Sequence, residues 1–347
     1  MIKASYKKYF LDFKKPSGTS RGILKTKETW FIVLQQNTTI GIGETGFFRG
    51  LSIDDVTNYE KKLQWVCNNI QLGLQNLLPL LIAFPSIQFG LEQAFLSLKS
   101  TSTYLLFPSE FTQGKQNIAI NGLVWMGDKQ FMKEQIREKL TSGFSCIKMK
   151  IGAIDFNAEI ELLSTIRKEF TAKEIEIRVD ANGAFTAKTA LDKLEKLSAL
   201  EIHSIEQPIQ QGQPQEMAKL CSKSQLPIAL DEELIGVFSS EEKQHLLQTI
   251  QPQFIILKPS LIGGFAGTLE WIHLAEKNNI GWWITSALEI NIGLNAIAQF
   301  TYTLNNKLPQ GLGTGGLFTN NFKSPLEVIN GTLHYNKTKN WNLNLLQ

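Results

Sequence analysis

The sequence predicts an α/β protein, a (β/α)7β modified TIM barrel preceded by a smaller α+β domain. From Asn117 onward, short apolar runs rich in β-branched residues alternate with amphipathic helical patterns, which is typical of βα units around a parallel sheet. Eight such runs follow one another at nearly regular spacing, as expected for strands that close into a barrel. The residues before Asn117 lack this alternation and are predicted to form a domain of their own.

The eight predicted strands are short, and helical patterns separate them. The strands cover residues 117–125, 145–152, 175–183, 202–209, 227–234, 254–263, 281–288 and 308–315. The clearest helical patterns cover residues 128–140, 156–170, 187–200 and 291–304, and several begin beside a residue that can cap a helix. The last strand is followed by the sequence NNFKSP, which has no helical pattern. Seven helical connections are therefore expected.

The N-terminal region predicts paired strands over residues 22–44 and helices over residues 53–71 and 87–99. The tail after Phe318 contains further strand-like sequence that can return to this region. We therefore predict a capping domain over residues 1–113, joined by residues 319–347, and a barrel over residues 114–318.

Composition excludes several classes of function. The net charge of +3 comes from 35 basic and 32 acidic residues, and the lysines are spread along the chain, so no nucleic-acid partner is expected. The three cysteines have no CxxC spacing, which predicts neither disulfides nor a zinc site and favours a cytoplasmic location. The longest apolar run, residues 77–85, is too short to span a bilayer, and no membrane association is expected.

Charged residues end five consecutive predicted strands of the barrel. They are Lys148 and Lys150 on the second strand, Asp180 on the third, Glu206 on the fourth, Asp231 on the fifth and Lys258 on the sixth. The carboxyl ends of barrel strands share one face, where active sites are built. All six side chains are therefore expected at one mouth, although each alone has a structural explanation as a turn, cap or surface residue.

Three carboxylates in a water-poor mouth repel one another unless a cation holds them. Oxygen ligands without histidine or cysteine favour a hard ion, so we expect Mg²⁺, with Mn²⁺ as a possible substitute.

Lys148 and Lys150 are two positions apart on a strand, so both point to the same side, which is expected to be inward. The other lysine and the metal ion beside it would lower the pKa of such a lysine from about 10.4 toward the neutral range and allow it to act as a base. Lys258 would face the substrate from another side. The set suits removal of a proton beside a carboxylate, with the resulting enediolate stabilised by positive charge.

These residues resemble the motifs of the lysine-based branch of the enolase superfamily, the muconate-lactonizing type. The motifs stand here as Lys148-Met149-Lys150, Asp180-Ala181-Asn182, Glu206-Gln207-Pro208, Asp231-Glu232 and Lys258-Pro259. The resemblance implies that Asp180, Glu206 and Asp231 bind magnesium and that Lys150 is the base. It further implies that Lys148 and Lys258 tune the site, and that the N-terminal domain and the C-terminal tail cap the barrel.

Within this superfamily, the seventh and eighth strands discriminate between branches. The seventh reads WWITSALE, without the histidine of the mandelate-racemase branch, and the eighth has a glycine-rich segment in place of the Asp-x-Asp of dipeptide epimerases. Residues 285–294 and 311–318 resemble the o-succinylbenzoate synthases, lyases of menaquinone biosynthesis. That resemblance implies a syn-dehydration of 2-succinyl-6-hydroxy-2,4-cyclohexadiene-1-carboxylate.

Two other functions stay open. An N-acylamino acid racemase or dipeptide epimerase would use Lys148 and Lys258 as opposed bases, and a barrel of this kind can also serve as a binding module.

Several residues are candidates for contacts with a small carboxylate substrate. They are Arg178, Asn182, Ser286, Gly315, Gly316 and, on the capping loops, Arg21 and Phe48. Arg178 points inward two positions before Asp180 and would bind a carboxylate through water, or else form a structural ion pair. By the resemblance, the glycine-rich segment and Ser286 approach the succinyl carboxylate.

Overall fold

The structure is a computed structural model that describes residues 1–19 and 22–342. Its N-terminal part holds an antiparallel sheet in the order β1-β2-β3. The strands are β1 (Lys3–Thr19), β2 (Gly22–Gln36) and β3 (Thr39–Glu44), and the helices that follow are α1 (Tyr59–Asn68), α2 (Leu74–Leu77) and α3 (Pro85–Lys99). One face of the sheet packs on α1 and α3 through a core that includes Trp30, Ile32 and Leu34. The α+β character of this region is confirmed.

Two short strands follow the N-terminal part, of which the second begins the barrel, and the chain continues as alternating helices and strands. In chain order these are β4 (Ile118–Ala119), β5 (Gly122–Val124), α4 (Lys129–Thr141), β6 (Cys146–Lys150), α5 (Phe156–Glu169), β7 (Glu176–Asp180), α6 (Ala187–Ser198), β8 (Ser204–Glu206), α7 (Pro214–Lys223), β9 (Ile228–Leu230), α8 (Ser240–Ile250), β10 (Phe254–Leu257), α9 (Gly264–Lys277), β11 (Gly281–Ile284) and α10 (Asn291–Thr303). Strands β5 to β11 form a parallel sheet in sequence order.

The predicted eighth strand is reduced to a short closing segment. Gln310 forms a parallel bridge to Ile120, and Gly311 forms one to Thr285 at the end of β11. The amide of Gly311 donates to the carbonyl of Ile284 at 2.8 Å, and the buried side chain of Gln310 accepts from the amide of Ile284 at 2.8 Å. The sheet therefore closes, as the sequence predicted.

Side chains on the two faces of the sheet have different environments. Those facing the helices are apolar and fully buried, for example Ile147, Met149 and Val179. The interior holds a small cluster of Ala229, Ile256 and Trp283. Active sites of barrels of this kind are built at the carboxyl ends of the strands, beyond this cluster.

The C-terminal tail contacts both parts of the chain. Strands β12 (Leu326–Ile329) and β13 (Thr332–Tyr335) form a hairpin that pairs with β4. Phe318 bridges to Phe13 of β1, and the amide of Thr319 donates to the carbonyl of Asp12 at 2.9 Å. The tail thus holds β1 at the barrel, while the exact domain bounds stay a prediction.

Glu92 connects the N-terminal part to the barrel. This buried side chain of α3 accepts hydrogen bonds from the amides of Phe265 and Ala266 in the first turn of α9, the second at 3.0 Å. Gly264 has φ +72°, and a Cβ there would lie 2.0 Å from Glu92 Oε2, so this position needs glycine.

We expect the link through Glu92 to make stability depend on pH. Burial raises the pKa of Glu92 from 4.5 to about 7. Because the pKa is higher in the folded state, its contribution of about 3 kcal/mol is present below pH 4.5 and is lost as the pH rises toward 7. The free energy of unfolding, measured with urea, should therefore fall less between pH 5 and pH 8 in Glu92→Gln than in the wild type.

The exposed residue Glu195 of α6 supplies the control for this experiment. Glu195→Gln should keep the wild-type difference between the two pH values. If Glu92→Gln kept the wild-type difference between the two pH values, the pKa of this carboxyl would be the same in the folded and unfolded states. Burial also raises the pKa of Glu44 to about 7, so part of the pH dependence should remain in Glu92→Gln.

In the described part of the chain, no helix combines the length and the apolar character that crossing a bilayer requires.

Candidate active site

Strand register brings the predicted charged residues together. Lys150 of β6 lies opposite Asp180 of β7, which in turn lies opposite Glu206 of β8. Asp231 directly follows β9, and Lys258 directly follows β10. Because these strands are parallel and adjacent, their carboxyl ends form a continuous arc, and the six side chains converge as predicted.

The lysines and carboxylates form a network of buried ion pairs. Lys148 Nζ lies 2.9 Å from Asp180 Oδ2 and also pairs with Glu206. Lys150 Nζ lies 2.9 Å from the same Asp180 oxygen. Lys258 pairs with Asp231, and its Nζ lies 4.0 Å from Glu206 Oε1. Each of these lysines therefore has a carboxylate partner, which offsets the cost of its partial or full desolvation.

The charge of this network shifts the pKa of several groups. Burial lowers the pKa of Lys148, but Asp180, Glu206 and Asp231 outweigh it and raise the pKa well above its ordinary value. The carboxylate neighbours likewise raise the pKa of Lys258 against the effect of burial. The predicted lowering assumed a neighbouring lysine and a metal ion; among the protein groups alone, the carboxylates on the adjoining strands have the larger effect on Lys148 and raise its pKa.

The three carboxylates are not equivalent. Burial tends to raise the pKa of Asp180, but Lys148 and Lys150 hold it far below its usual range. For Glu206, burial and the negative charge of Asp180 raise the pKa. Glu206 Oε1 is also buried and accepts no hydrogen bond. Glu206 is therefore the carboxylate that most requires additional positive charge.

Polar side chains just beyond the strands position this network. Asn182, at φ +42°, accepts from Lys150 Nζ at 2.6 Å and donates to Glu232 Oε1 at 3.0 Å. Gln207 accepts from the amide of Asp231 at 3.2 Å and donates to Glu233 at 3.1 Å. The sequence motifs contain Gln207 and Glu232, but their supporting roles depend on side-chain geometry and were not predicted.

A cavity of about 450 Å³ opens above these residues. Its walls include Lys148, Lys150, Asp180 and Lys258 from the barrel. Strands β6 and β10 are separated by three strands in the sheet, so Lys150 and Lys258 reach the cavity from different sides. This size suits a small organic molecule.

The chain matches the family model described as Enolase C-terminal domain-like over residues 131–339. It is 45% identical to o-succinylbenzoate synthase from Desulfotalea psychrophila, in a match that covers 96% of this chain and 98% of that protein. The chain belongs to the o-succinylbenzoate synthase family of the enolase superfamily. This is a family of lyases.

Solved structures agree with this assignment. The crystal structure of MenC from Desulfotalea psychrophila is 42% identical and has a TM-score of 0.85, covering 96% of this chain and 99% of that one. The L-Ala-D/L-Glu epimerase from Bacillus subtilis is more distant in sequence, 28% identical over 48% of this chain and 45% of that protein. Its substrate-liganded structure, 20% identical with a TM-score of 0.81, covers 96% of this chain and 95% of that one and shares the fold.

In this o-succinylbenzoate synthase family member, some of the predicted substrate contacts line the cavity. Asn182, Ser286, Gly316 and Phe48 do so. Ser286 Oγ is hydrogen-bonded to Thr314 Oγ1 at 2.6 Å, which fixes the hydroxyl near the closing segment. These four residues stay predicted contacts.

The other predicted contacts have different positions. Arg178 is not among the residues that line the cavity; its Nε donates to Glu176 at 2.6 Å, and its guanidinium stacks 4.1 Å from the centre of the Trp283 ring. This is the structural ion pair that the sequence left open. Gly315 is also not among the residues of the cavity wall, and a Cβ there would meet Asn291 Oδ1 at 2.7 Å. Arg21 lies outside the described residues.

The donor set of this family member fits a hard divalent cation. Within the described residues, no three His, Cys, Asp or Glu side chains stand together in a ready metal-binding group, because ammonium groups lie between the carboxylates. Nevertheless, three carboxylates end adjacent strands, and Glu206 Oε1 lacks a hydrogen-bond partner. Mg²⁺ binding would require Lys148 and Lys258 to move away from Glu206 and Asp231.

Proposed function

We propose that this chain is an o-succinylbenzoate synthase that converts 2-succinyl-6-hydroxy-2,4-cyclohexadiene-1-carboxylate into 2-succinylbenzoate and water. The observation that carries the proposal is the full-length similarity to the Desulfotalea psychrophila enzyme. The convergence of three lysines and three carboxylates at the cavity supports it chemically. We further propose that the reaction takes place in the cytoplasm and serves menaquinone biosynthesis.

In this proposal Lys150 acts first as a base and then as an acid. As the neutral amine it removes the proton from the ring carbon that bears the carboxylate, and the electrons of that C–H bond form an enediolate. The enediolate then collapses to the aromatic ring as the C–O bond to the neighbouring hydroxyl breaks. The Lys150 ammonium protonates the departing oxygen to give water. One residue serves both steps, so proton and hydroxyl leave from the same face.

The remaining residues of the network hold charge around the reacting carboxylate. Asp180, Glu206 and Asp231 would hold Mg²⁺, which supplies positive charge beside the carboxylate as the enediolate forms. Lys258 stands on the other side of the mouth from Lys150 and would stabilise the same negative charge. Asn182, hydrogen-bonded to Lys150 Nζ at 2.6 Å, orients the base.

A racemase or epimerase is the second candidate, because epimerases of this superfamily match about half of the chain. Lysines on opposite sides of the mouth are also the arrangement that a two-base isomerase needs. The closing segment, however, places glycines and Thr314 in the cavity wall and offers no carboxylate to hold an amino group.

Two assays of the purified protein with Mg²⁺ test the proposal. We expect rapid conversion of the cyclohexadiene carboxylate to 2-succinylbenzoate, measured by the change in ultraviolet absorbance. The second assay follows deuterium from the solvent into the α-carbon of N-acylamino acids and dipeptides. Rapid exchange there without dehydration would reject the proposal in favour of an isomerase.

A further inference from the structure

The active-site cavity extends to an irregular segment of the N-terminal domain. The pairing of β1 with β2 changes register between Asp12 and Ser17, so the residues between them leave the regular ladder. Lys14 lies in this segment and lines the cavity. Its amide donates to the carbonyl of Leu317 at 2.8 Å, which fixes the backbone of the bulge against the segment that follows the eighth strand.

Positive charge predominates in the described wall of the cavity. The cationic residues are Lys14, Lys15, Lys139, Lys148, Lys150 and Lys258, whereas the anionic ones are Glu138 and Asp180. Lys139 pairs with Glu138 at 3.2 Å, and the barrel lysines pair with the carboxylates at the strand ends. Such a surface attracts a substrate with more than one negative charge.

Lys14 differs from the other cations of this wall. Among the described residues, no carboxylate lies within ion-pair distance of its ammonium group, and its side chain is exposed. The charge of Lys14 is therefore available to a ligand, and no internal ion pair must be broken to use it.

The surroundings of Lys14 indicate which part of a ligand it would meet. Its backbone partner Leu317 follows Gly316, which lines the cavity and has open space where a Cβ would be. The hydroxyl pair of Ser286 and Thr314 lies in the same wall. This group belongs to β1, the end of β11 and the closing segment, whereas the ion-pair network, where the reacting carboxylate is expected, belongs to the ends of β6 to β10.

We infer that Lys14 binds the succinyl carboxylate of the substrate, together with polar groups of the closing segment. This inference rests on the proposed function, because it assigns the second carboxylate of the same substrate. The capping domain then contributes charge recognition, while the barrel supplies the chemistry. Lys14 is a specificity residue and takes no part in proton transfer.

Binding of the product separates this role from catalysis. The dissociation constants of 2-succinylbenzoate and of its methyl ester at the succinyl carboxyl group are measured by calorimetry with Mg²⁺ present. Wild-type protein should bind the acid about tenfold more tightly than the ester, since a charge-assisted hydrogen bond is worth roughly 1.5 kcal/mol. In Lys14→Met this preference should disappear, and KM for dehydration should rise about tenfold with kcat nearly unchanged.

Two further variants complete the experiment. Lys14→Arg keeps the charge and should retain most of the preference for the acid. Lys3→Met removes an exposed lysine from the same strand, outside the cavity wall, and should behave as wild type. A wild-type preference in Lys14→Met would overturn the inference. The proposed function itself would fail differently, through wild-type protein that neither binds the product nor dehydrates the substrate.

Discussion

Replacing Lys150 by alanine is expected to lower kcat for dehydration by a factor of about 10⁴, the upper end of what general acid–base catalysis contributes. The effect should be this large because the same amine serves both proton transfers. The fold should persist, since Asp180 keeps its ion pair with Lys148 at 2.9 Å and its hydrogen bond from the amide of Asn182 at 3.0 Å. Stopped-flow or steady-state absorbance measures the rate, and circular dichroism measures the fold.

Two comparisons identify the reason for the loss. Lys150→Arg keeps the positive charge but has no neutral form near neutral pH, so it should be nearly as inactive as the alanine variant. Lys188→Ala removes an exposed lysine of α6 and should leave kcat unchanged. If Lys150→Ala retained kcat within a factor of ten, the base would have to be another residue.

The convergence of the charged residues was predictable because two simple geometric rules fix it. Parallel strands of βα units end on one face, and residues two apart on a strand share a side. Lys148, Lys150, Asp180 and Glu206 lie within strands that the hydrophobic pattern marks clearly, and their predicted proximity depends on no loop conformation. Closure of the sheet followed from the number and spacing of the strands.

The N-terminal strand β1 was not predicted, although its pattern is present in the sequence. Lysines occupy most of its exposed positions, and the half-buried positions such as Ala4, Tyr6 and Tyr9 are of mixed size and polarity. These charges obscure the alternation that indicates a strand. The predicted helix over residues 53–71 was too long, because the structured helix starts at Tyr59 and Asp54 instead accepts from the amide of Ser86 at the start of α3.

Side-chain partners were beyond the reach of sequence patterns. Whether Arg178 contacts a substrate or pairs with Glu176 depends on its depth along the barrel axis. The structure places it beside Trp283, where it pairs with Glu176. The position of Lys14 depends on a register shift in β1, a strand that was itself not predicted. Similarly, the pKa of Lys148 depends on which carboxylates the neighbouring strands present at the same height.

Glu206→Gln is expected to weaken Mg²⁺ binding by about a hundredfold or more, because it removes a charged oxygen ligand, whereas even outer supporting residues cost ten- to a hundredfold. Glu206 is the carboxylate whose burial and negative neighbours leave it most in need of positive charge. Glutamine keeps the volume and removes the buried charge, so the fold should be preserved. Calorimetric titration of the substrate-free protein with Mg²⁺ measures the affinity independently of turnover.

A lysine variant should have the opposite effect on the same measurement. Lys148 pairs with both Asp180 and Glu206, so its ammonium competes with Mg²⁺ for these oxygens and repels the ion. Lys148→Met should therefore bind Mg²⁺ at least as tightly as wild type, although it loses activity. Glu216→Gln changes a half-exposed carboxylate that pairs only with Lys219 at 2.7 Å among the described residues, and it should change neither quantity. If Glu206→Gln bound Mg²⁺ as tightly as the wild type, the ion would have to bind elsewhere. The three buried carboxylates at this mouth would then have no physical explanation.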